Sequence, residues 1–270
     1  LTVPRPLKTM EQQSKAPRGT QAILRTVRLL KAFSPEKPRM TLAELGAAVG
    51  LTRSTAHRLL AALESEGLVT RGRSRSTYCL GPAVIALGSQ ALLSSDLRRT
   101  ARPALDELAE AFGETTTLEV LIGDEILVLD GIAGRRLVSA GLDTGTRWPA
   151  FATSTGRCIL AHLPEFRREY LLHLPRPRLT DKTRTGIRAL RAELDVVRKR
   201  GFAATFGELG PEYAAVAAAF FGPTGEVEGA LCVGGPVTRF TPERVEEIGA
   251  KLSKAVDQLS THEPVALRDT

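Results

Sequence analysis

The stretch from Thr41 to Glu66 constrains the fold of this chain more than any other. It predicts two short helices joined by a tight turn. Thr41 is placed to cap the first helix, Glu44 completes a capping box three residues later, and Gly50 ends that helix in a left-handed conformation. Thr52 is then placed to cap the second helix. Apolar residues recur at spacings that pack the two helices together, namely Leu45, Val49, Leu51, Ala56, Leu59, Leu60 and Leu63.

The start of the second helix is polar and basic, which predicts a helix-turn-helix whose second helix enters the DNA major groove. The side chains concerned are Arg53, Ser54, Thr55, His57 and Arg58. An ordinary helical hairpin is the alternative for two amphipathic helices. The next residues favour DNA binding, because two β-prone runs at 67–71 and 77–80 enclose a basic tip at 72–76. Helix, turn, helix and basic hairpin together predict a winged helix.

The positive charge of the chain is concentrated near its N-terminus. Residues 18–82 carry eleven basic and four acidic side chains, residues 1–17 add +2, and the remainder carries −2, for a net charge of +7. This asymmetry indicates a nucleic-acid-binding module joined to a near-neutral one. We see no signal peptide, no apolar run long enough to span a membrane and no cysteine pattern typical of metal sites or disulfides. We therefore expect a cytoplasmic protein without a metal or another cofactor.

The patterns divide the chain into five segments. They are a disordered basic tail at 1–17, the winged helix-turn-helix domain at 18–82, a linker helix at 83–95, an effector-binding and oligomerisation domain at 96–260, and a C-terminal tail at 261–270. The first domain is expected to open with a helix from about Thr20 to Phe33. The linker helix is too apolar to be solvated, so we expect it to pack against a partner, which predicts a dimer.

Residues 96–260 alternate between helical and strand-forming patterns, which predicts an α+β domain on a mainly antiparallel sheet. Helices are expected at 103–112, with Pro103 in the first turn, and at 153–163, 184–200 and 241–259. Strands are expected at 116–122, 126–129, 137–140, 202–206, 214–221 and 228–233. The hairpin acids Glu119, Asp124, Glu125 and Asp130 are predicted to be exposed.

Five blocks of the sequence, in this order and spacing, resemble the IclR family of bacterial transcriptional regulators. They are residues 49–68, 78–81, 101–105, 148–157 and 200–202. The resemblance covers about residues 19–259 and implies a winged helix, a linker helix and a GAF-like effector domain. It also implies homodimers or dimers of dimers on palindromic promoter sites, a small organic or aromatic acid as effector, and a repressor as the commoner mode of action.

Residues expected to contact double-stranded DNA lie just before the first helix, at two helix starts, on the second helix of the helix-turn-helix and in the wing. They are Arg18, Thr41, Thr52, Arg53, Ser54, Thr55, His57, Arg58, Arg71, Arg73, Ser74 and Arg75. Arg53, His57 and Arg58 are the candidates for base edges, since arginine pairs with guanine O6 and N7. Ser54 and Thr55 are expected near phosphates, and the wing arginines at phosphates or the minor groove. The alternative for several of these residues is that they are solvated surface charges. For His57 the alternative is a position facing the first helix.

Effector binding is expected at the start of the helix at 153–163. Free backbone N–H groups at Ser154, Thr155 and Gly156 favour an anion without a basic side chain, although an ordinary capped helix start is the alternative. Trp148 and Phe151 are expected to be pocket walls or core, and Phe151 stands where the family commonly has His. The resemblance implies four further pocket positions, more apolar than in members that bind very small acids, namely Thr205, Ala215, Cys232 and Gly234.

The sequence predicts no catalytic residues. It contains no Gly-x-Ser-x-Gly, His-Glu-x-x-His or P-loop motif. Two alternatives stay open beside an effector-controlled repressor: an enzyme domain fused to a DNA-binding module, and a ligand-independent DNA-binding protein. Turnover of a substrate in an activity assay would indicate the first alternative. A pocket that the protein fills with its own side chains would favour the second.

Overall fold

The computed structural model describes residues 20–34, 37–72, 76–134 and 143–260. The chain divides into two units, Leu1–Ser94 and Ser95–Thr270. The predicted strand at 137–140 and the two predicted tails lie outside the described residues. In the described ranges, none of the helices is long and apolar enough to cross a membrane.

The first unit combines helices with a small antiparallel sheet. Its helices are α1 (Gln21–Lys31), α2 (Leu42–Val49), α3 (Arg53–Ser65) and α4 (Pro82–Leu93). Its strands are β1 (Met40–Thr41), β2 (Val69–Arg71) and β3 (Thr77–Leu80), in the order β1-β3-β2. The predicted winged helix is therefore present, and the sequence pattern missed only the two-residue strand β1. Leu29 is the buried residue of α1, whereas Ile23 of the same helix is 63% exposed.

The helix ends around the central turn follow the predicted caps. The Thr41 hydroxyl accepts a hydrogen bond from the N–H of Glu44 at 3.3 Å, and the Glu44 carboxylate accepts one from the N–H of Thr41 at 2.7 Å. Gly50 adopts φ 70°, the left-handed conformation that favours glycine. The Thr52 hydroxyl accepts from the N–H of Thr55 at 3.4 Å. These local hydrogen bonds set the angle between α2 and α3.

The second unit is an α+β fold on one antiparallel sheet. Its helices are α5 (Asp96–Phe112), α6 (Ser154–His162), α7 (Glu165–His173), α8 (Ile187–Arg200) and α9 (Pro242–Ser260). Its strands are β4 (Thr115–Ile122), β5 (Glu125–Ile132), β6 (Arg147–Pro149), β7 (Ala203–Phe206), β8 (Tyr213–Phe221) and β9 (Val227–Pro236). The sheet order is β6-β5-β4-β9-β8-β7, which confirms the predicted fold class. Helix α7 and strand β6 were not predicted.

Both faces of this sheet are covered by helices. Along β8, one set of alternating residues packs with α5 and α9, and the other set packs with α6 and α8. Alternation along a strand sends neighbouring side chains to opposite faces. On β4, Leu118 joins the α5 and α9 core, whereas Glu119 lines a cavity beside the start of α6.

The predicted start of α5 is wrong. The helix begins at Asp96, where the Ser95 hydroxyl accepts from the N–H of Arg98 at 3.3 Å. Pro103 therefore lies inside the helix and cannot donate to the carbonyl of Arg99. A good N-terminal cap about two turns earlier outweighs the usual preference of proline for a first turn.

The predicted exposure of the β4–β5 acids is also wrong for two of them. Glu119 and Asp130 are each only 4% exposed, whereas Asp124 and Glu125 are partly exposed near the turn. Asp130 is paired with two arginines of α5, at 3.0 Å from Arg98 Nε and 3.3 Å from Arg102 Nη1. Because helices cover both sheet faces, polar side chains in the middle of the strands do not reach water.

Candidate functional site

The polar side chains at the start of α3 lie together on the surface of the first unit. Arg53, Ser54 and His57 line a shallow depression with Leu42 of α2. Arg58 is also exposed, and Thr55 is half-buried. His57 thus contributes to this exposed face, as a base-reading residue must.

The hydroxyls of Thr41 and Thr52 cap the starts of α2 and α3. Thr52 Oγ1 lies 3.3 Å from Ser54 Oγ and donates to Thr55 Oγ1 at 3.0 Å. The hydroxyl of Thr41 also donates to the Glu44 carboxylate at 2.8 Å. These two residues therefore position α2 and α3.

The root of the wing carries Arg71, whose guanidinium contacts its own unit. Its Nε lies 3.1 Å from Oε1 of Glu64, and its Cζ lies 5.0 Å from the centre of the Tyr78 ring. Four other predicted DNA contacts, Arg18, Arg73, Ser74 and Arg75, lie outside the described residues.

The second unit contains a cavity between the first turn of α6 and the sheet. Its volume is about 20 Å³, room for about one water molecule. It is lined by Glu119, Trp148, Thr153, Ser154, Thr155, Thr205, Leu209, Tyr213, Ala215 and Cys232. Lysine, arginine and histidine do not occur among these lining residues. Among the described residues, positive potential in the cavity therefore comes from backbone and side-chain dipoles.

The first turn of α6 supplies such a dipole. The Thr153 hydroxyl caps the helix by accepting from the N–H of Gly156 at 3.0 Å. The N–H groups of Ser154 and Thr155 have no acceptor within the helix, because they lie in its first turn. Both residues are only 1% exposed. This buried helix start is electropositive and favours an anion or another hydrogen-bond acceptor.

Two residues that line the cavity, Thr155 and Trp148, each carry a buried group that lacks a hydrogen-bond partner within the described ranges. These groups are the Thr155 hydroxyl and the indole N–H of Trp148. Buried polar groups are rarely left unpaired, because each one loses its hydrogen bonds to water. The neighbouring Ser154 hydroxyl lies 3.8 Å from Cys232 Sγ, within reach of a weak hydrogen bond. A molecule with acceptor atoms in the cavity would satisfy both unpaired groups.

Glu119 brings a carboxyl group to the same cavity. Its Oε1 accepts a hydrogen bond from the Thr117 hydroxyl at 2.5 Å. Burial raises the pKa of the Glu119 carboxyl, and the nearby hydroxyls of Thr117 and Thr155 oppose that shift. The Thr155 hydroxyl acts by proximity, since its geometry does not complete a hydrogen bond. Burial also raises the pKa of Cys232 and of Tyr213, so these two neighbours are neutral near pH 7.

Comparison with known proteins assigns both units. Residues 22–73 match the IclR helix-turn-helix domain, and residues 89–261 match the domain described as bacterial transcriptional regulator IclR C-terminal. The chain belongs to the IclR family. It is a DNA-binding transcriptional regulator, and neither its family nor its named relatives are enzymes.

Similar IclR-family proteins cover almost the whole chain. The HTH-type transcriptional regulator Rv1719 of Mycobacterium tuberculosis is 33% identical over 243 residues, which are 90% of this chain and 93% of that protein. The transcriptional repressor IclR of Escherichia coli is 29% identical and covers 89% of each chain. The crystal structure of an IclR homologue from Microbacterium hydrocarbonoxydans, complexed with 4-hydroxybenzoate, is 28% identical with a TM-score of 0.71, covering 87% of this chain and 99% of that one.

The structure brings six of the nine predicted effector residues of this IclR-family regulator to the cavity. They are Trp148, Ser154, Thr155, Thr205, Ala215 and Cys232. The side chain of Phe151 lies in the core on the α6 side of the sheet, 8% exposed. Gly156 and Gly234 allow close packing instead, because a Cβ on Gly156 would overlap the carbonyl oxygen of Ala150, and one on Gly234 would overlap the Tyr213 hydroxyl.

The sequence-based set missed four lining residues, namely Glu119, Thr153, Leu209 and Tyr213. Three of the four are polar, so the cavity is more polar than predicted. One signal pointed to Glu119. It stands two residues after Thr117 in a β4 sequence whose intervening residue, Leu118, is apolar. In a sheet covered on both faces, this alternation places Thr117 and Glu119 on one buried face.

Proposed function

We propose that this IclR-family regulator is a repressor that binds a palindromic promoter site as a homodimer or a dimer of dimers. A small organic acid bound in the cavity of the second unit controls its affinity for DNA. The buried start of α6, with the unpartnered Thr155 hydroxyl beside it, is the observation that carries the effector part of this proposal.

Recognition of DNA is assigned to the exposed start of α3. Arg53, His57 and Arg58 contact base edges in the major groove, with Ser54 and Thr55 at the flanking phosphates. The wing arginines and Arg18 contact phosphates or the minor groove. The exposure of the α3 side chains on one face of the unit supports this assignment.

Dimer formation is assigned to α4. No residue of this helix is buried, and Ile85, Leu87 and Leu93 are 73%, 57% and 84% exposed. Exposed apolar surface of this kind is typical of a protein–protein interface. A two-fold dimer would present two α3 helices, which is the arrangement that a palindromic site requires.

Effector binding requires the cavity to open. A volume of about 20 Å³ is far below that of a typical ligand pocket, so an organic acid binds only after the walls have moved apart. The effector therefore favours an open conformation and shifts the population of the protein towards it. The related IclR homologue in complex with 4-hydroxybenzoate supports an aromatic acid, and the relative named a repressor supports that mode of action.

Ligand-independent DNA binding is the second candidate. The side chains of Trp148 and Leu209 line a cavity that is already almost filled by the protein. Such a filled cavity is expected of a protein that needs no effector. The unpaired groups of Thr155 and Trp148 favour an effector-binding protein instead. A site that the protein itself fills permanently is expected to satisfy its own hydrogen-bond donors.

One experiment tests both candidates. Binding sites are selected from a random double-stranded DNA library, and affinity for the selected site is measured with and without 4-hydroxybenzoate. Trp148 is the single tryptophan of the chain, so its fluorescence reports ligand binding directly. We expect an inverted-repeat site, a fluorescence change and weaker DNA binding with the acid, and Thr155→Val should reduce the affinity for the acid. Unchanged fluorescence and DNA affinity at millimolar 4-hydroxybenzoate and other small carboxylic acids would favour ligand-independent binding.

A further inference from the structure

We propose that Glu119 is the specificity-determining residue of the cavity and that it carries a proton when an organic anion binds. At pH values above the pKa of Glu119 in the free protein, anion binding would then take up one proton from solution. This inference rests on the proposed effector function of the cavity and names the chemistry by which the cavity accepts an acid.

Among the residues that the structure describes, no cation lines the cavity beside Glu119. Glu119 itself is 4% exposed. Arg157 of α6 is fully buried, but its guanidinium is bound to Glu208, with Nη1 2.8 Å from Oε1. An ionised Glu119 would therefore be a buried charge without an ionic partner. A bound carboxylate would be a second negative charge beside it, and two adjacent carboxylates do not both stay ionised at little cost.

The hydrogen bond that Glu119 accepts from Thr117 does not prevent protonation of the carboxyl. Thr117 donates to Oε1, and a proton can be carried on Oε2. A protonated carboxyl is a hydrogen-bond donor. The other unpaired groups of the cavity are also potential donors, namely the Thr155 hydroxyl and the Trp148 indole N–H, together with the first-turn N–H groups of α6. A cavity built from donors selects a ligand that presents acceptors, and a carboxylate presents two.

The other titratable groups around Glu119 do not compete for this proton. Tyr213 of β8 and Cys232 of β9 line the same cavity, and burial raises the pKa of each, so both already hold their protons near pH 7. Glu114, the residue before β4, is paired with Arg239 and Arg244. Asp130 of β5 is paired with arginines of α5. The lining residues from α6 and β6 are not titratable in this range.

The proton balance predicts a pH dependence. An anion and an ionised Glu119 combine with one proton to give a complex in which the carboxyl is neutral. Above the pKa of Glu119 in the free protein, affinity for the anion should fall by up to about tenfold per pH unit, by linkage. A neutral ligand of the same shape requires no proton, so its affinity should not change with pH.

The test is a titration of the full chain with 4-hydroxybenzoate between about pH 6 and pH 8, where the ligand carboxylate is ionised. Affinity is followed by Trp148 fluorescence, and calorimetry in two buffers of different ionisation enthalpy counts protons. We expect wild-type affinity to fall with pH and up to one proton to be taken up. Glu119→Gln keeps a neutral donor, so it should bind at least as tightly at the upper pH and lose the pH dependence.

Two controls accompany this test. Glu228→Gln removes an exposed carboxyl of β9 and should behave as the wild type. Binding of 4-hydroxybenzamide to the wild type should be independent of pH. Binding by Glu119→Gln in the absence of wild-type binding would also support the proposal, because removal of the buried charge would then have admitted the anion.

Two results would overturn it. Wild-type binding without pH dependence or proton uptake at pH values above the folded-state pKa of Glu119 would show that Glu119 does not gain a proton. Loss of acid binding in a Glu119→Gln protein that melts as cooperatively as the wild type would show that an ionised Glu119 is needed. Either result leaves the effector function intact. Absence of acid binding in both proteins, including a panel of small carboxylic acids at millimolar concentration, would overturn the effector function itself and this inference with it.

Discussion

Arg157 and Glu208 form a buried ion pair that joins α6 to the segment after β7. Arg157 Nη1 lies 2.8 Å from Oε1 of Glu208, and Nη2 donates to Oε2. Arg157 is fully buried, and its Nε also donates to the carbonyl of Phe151 at 3.2 Å. Residues near the two partners, Thr155 and Leu209, line the cavity from two directions. The pair therefore holds two walls of the cavity in register.

Breaking this pair should destabilise the second unit. Arg157→Met removes the buried partner of the Glu208 carboxylate and leaves only the half-exposed Arg184, whose Nε lies 3.9 Å from Oε1. We expect a loss of about 3–5 kcal/mol in the free energy of unfolding. Urea unfolding followed by Trp148 fluorescence measures this unit alone, since the first unit contains no tryptophan.

The control for this prediction is an exposed ion pair. Arg191→Met removes the partner of Glu169 on the surface and should cost much less, because water screens that pair. The double variant Arg157→Met/Glu208→Leu should recover a large part of the loss, since no buried charge remains. Equal losses for Arg157→Met and Arg191→Met would contradict the proposed importance of the buried pair.

Glu119→Gln should stabilise the second unit relative to the wild type as the pH rises. Burial raises the pKa of Glu119 in the folded state above its unfolded value of about 4.3. Between these two values the folded state binds more protons, so this group stabilises the protein fully at acid pH and loses that contribution as the pH rises towards the folded pKa. Glutamine does not titrate, so the Glu119→Gln variant does not lose this contribution to stability as the pH rises.

The measurement is the difference in unfolding free energy between Glu119→Gln and the wild type at several pH values. It should grow from about pH 4 upwards and level off above the folded pKa. Glu228→Gln, at an exposed position, should show no comparable trend. A constant difference across the range would mean that Glu119 titrates as it does in the unfolded chain.

Gly156→Ala should destabilise α6 at its first turn. A Cβ at this position would overlap the carbonyl oxygen of Ala150, so the turn at Ala150–Ala152 must move. Overpacking of this kind costs about 1–3 kcal/mol. Gly186→Ala is the matched control, because nothing lies within 4 Å of a Cβ built there. Thermal unfolding should separate the two variants, and similar melting temperatures would show that the α6 contact is not tight.

Arg53→Ala should lower affinity for the selected DNA site more than affinity for scrambled DNA. Loss of a base-edge contact costs about 1–3 kcal/mol at one position, whereas Arg73→Ala in the wing should weaken binding to both DNAs. The assays must share one salt concentration, because phosphate contacts are salt-dependent. Arg188→Ala, exposed on α8, serves as the charge-matched control. Equal losses for Arg53→Ala on both DNAs would contradict its assignment to the groove.

Local hydrogen bonds are what the sequence by itself determined. The capping box of Thr41 and Glu44, the left-handed Gly50 and the cap at Thr52 each involve residues at most three positions apart. Their geometry depends on neighbouring residues alone, so the helix-turn-helix and most helix and strand limits could be predicted from the pattern. The resemblance of the sequence blocks to one family then identified the order of the two domains.

Burial and the cavity were decided only by the tertiary structure. Whether Glu119 faces water or the start of α6 depends on helices that cover both faces of the sheet, and Arg157 reaches Glu208 across 51 positions of the chain. Pro103 lies within α5 because Ser95 begins the helix earlier. Contacts between residues distant in sequence set which polar groups lose water and which find partners. For that reason the chemistry of the cavity could not be read from local patterns.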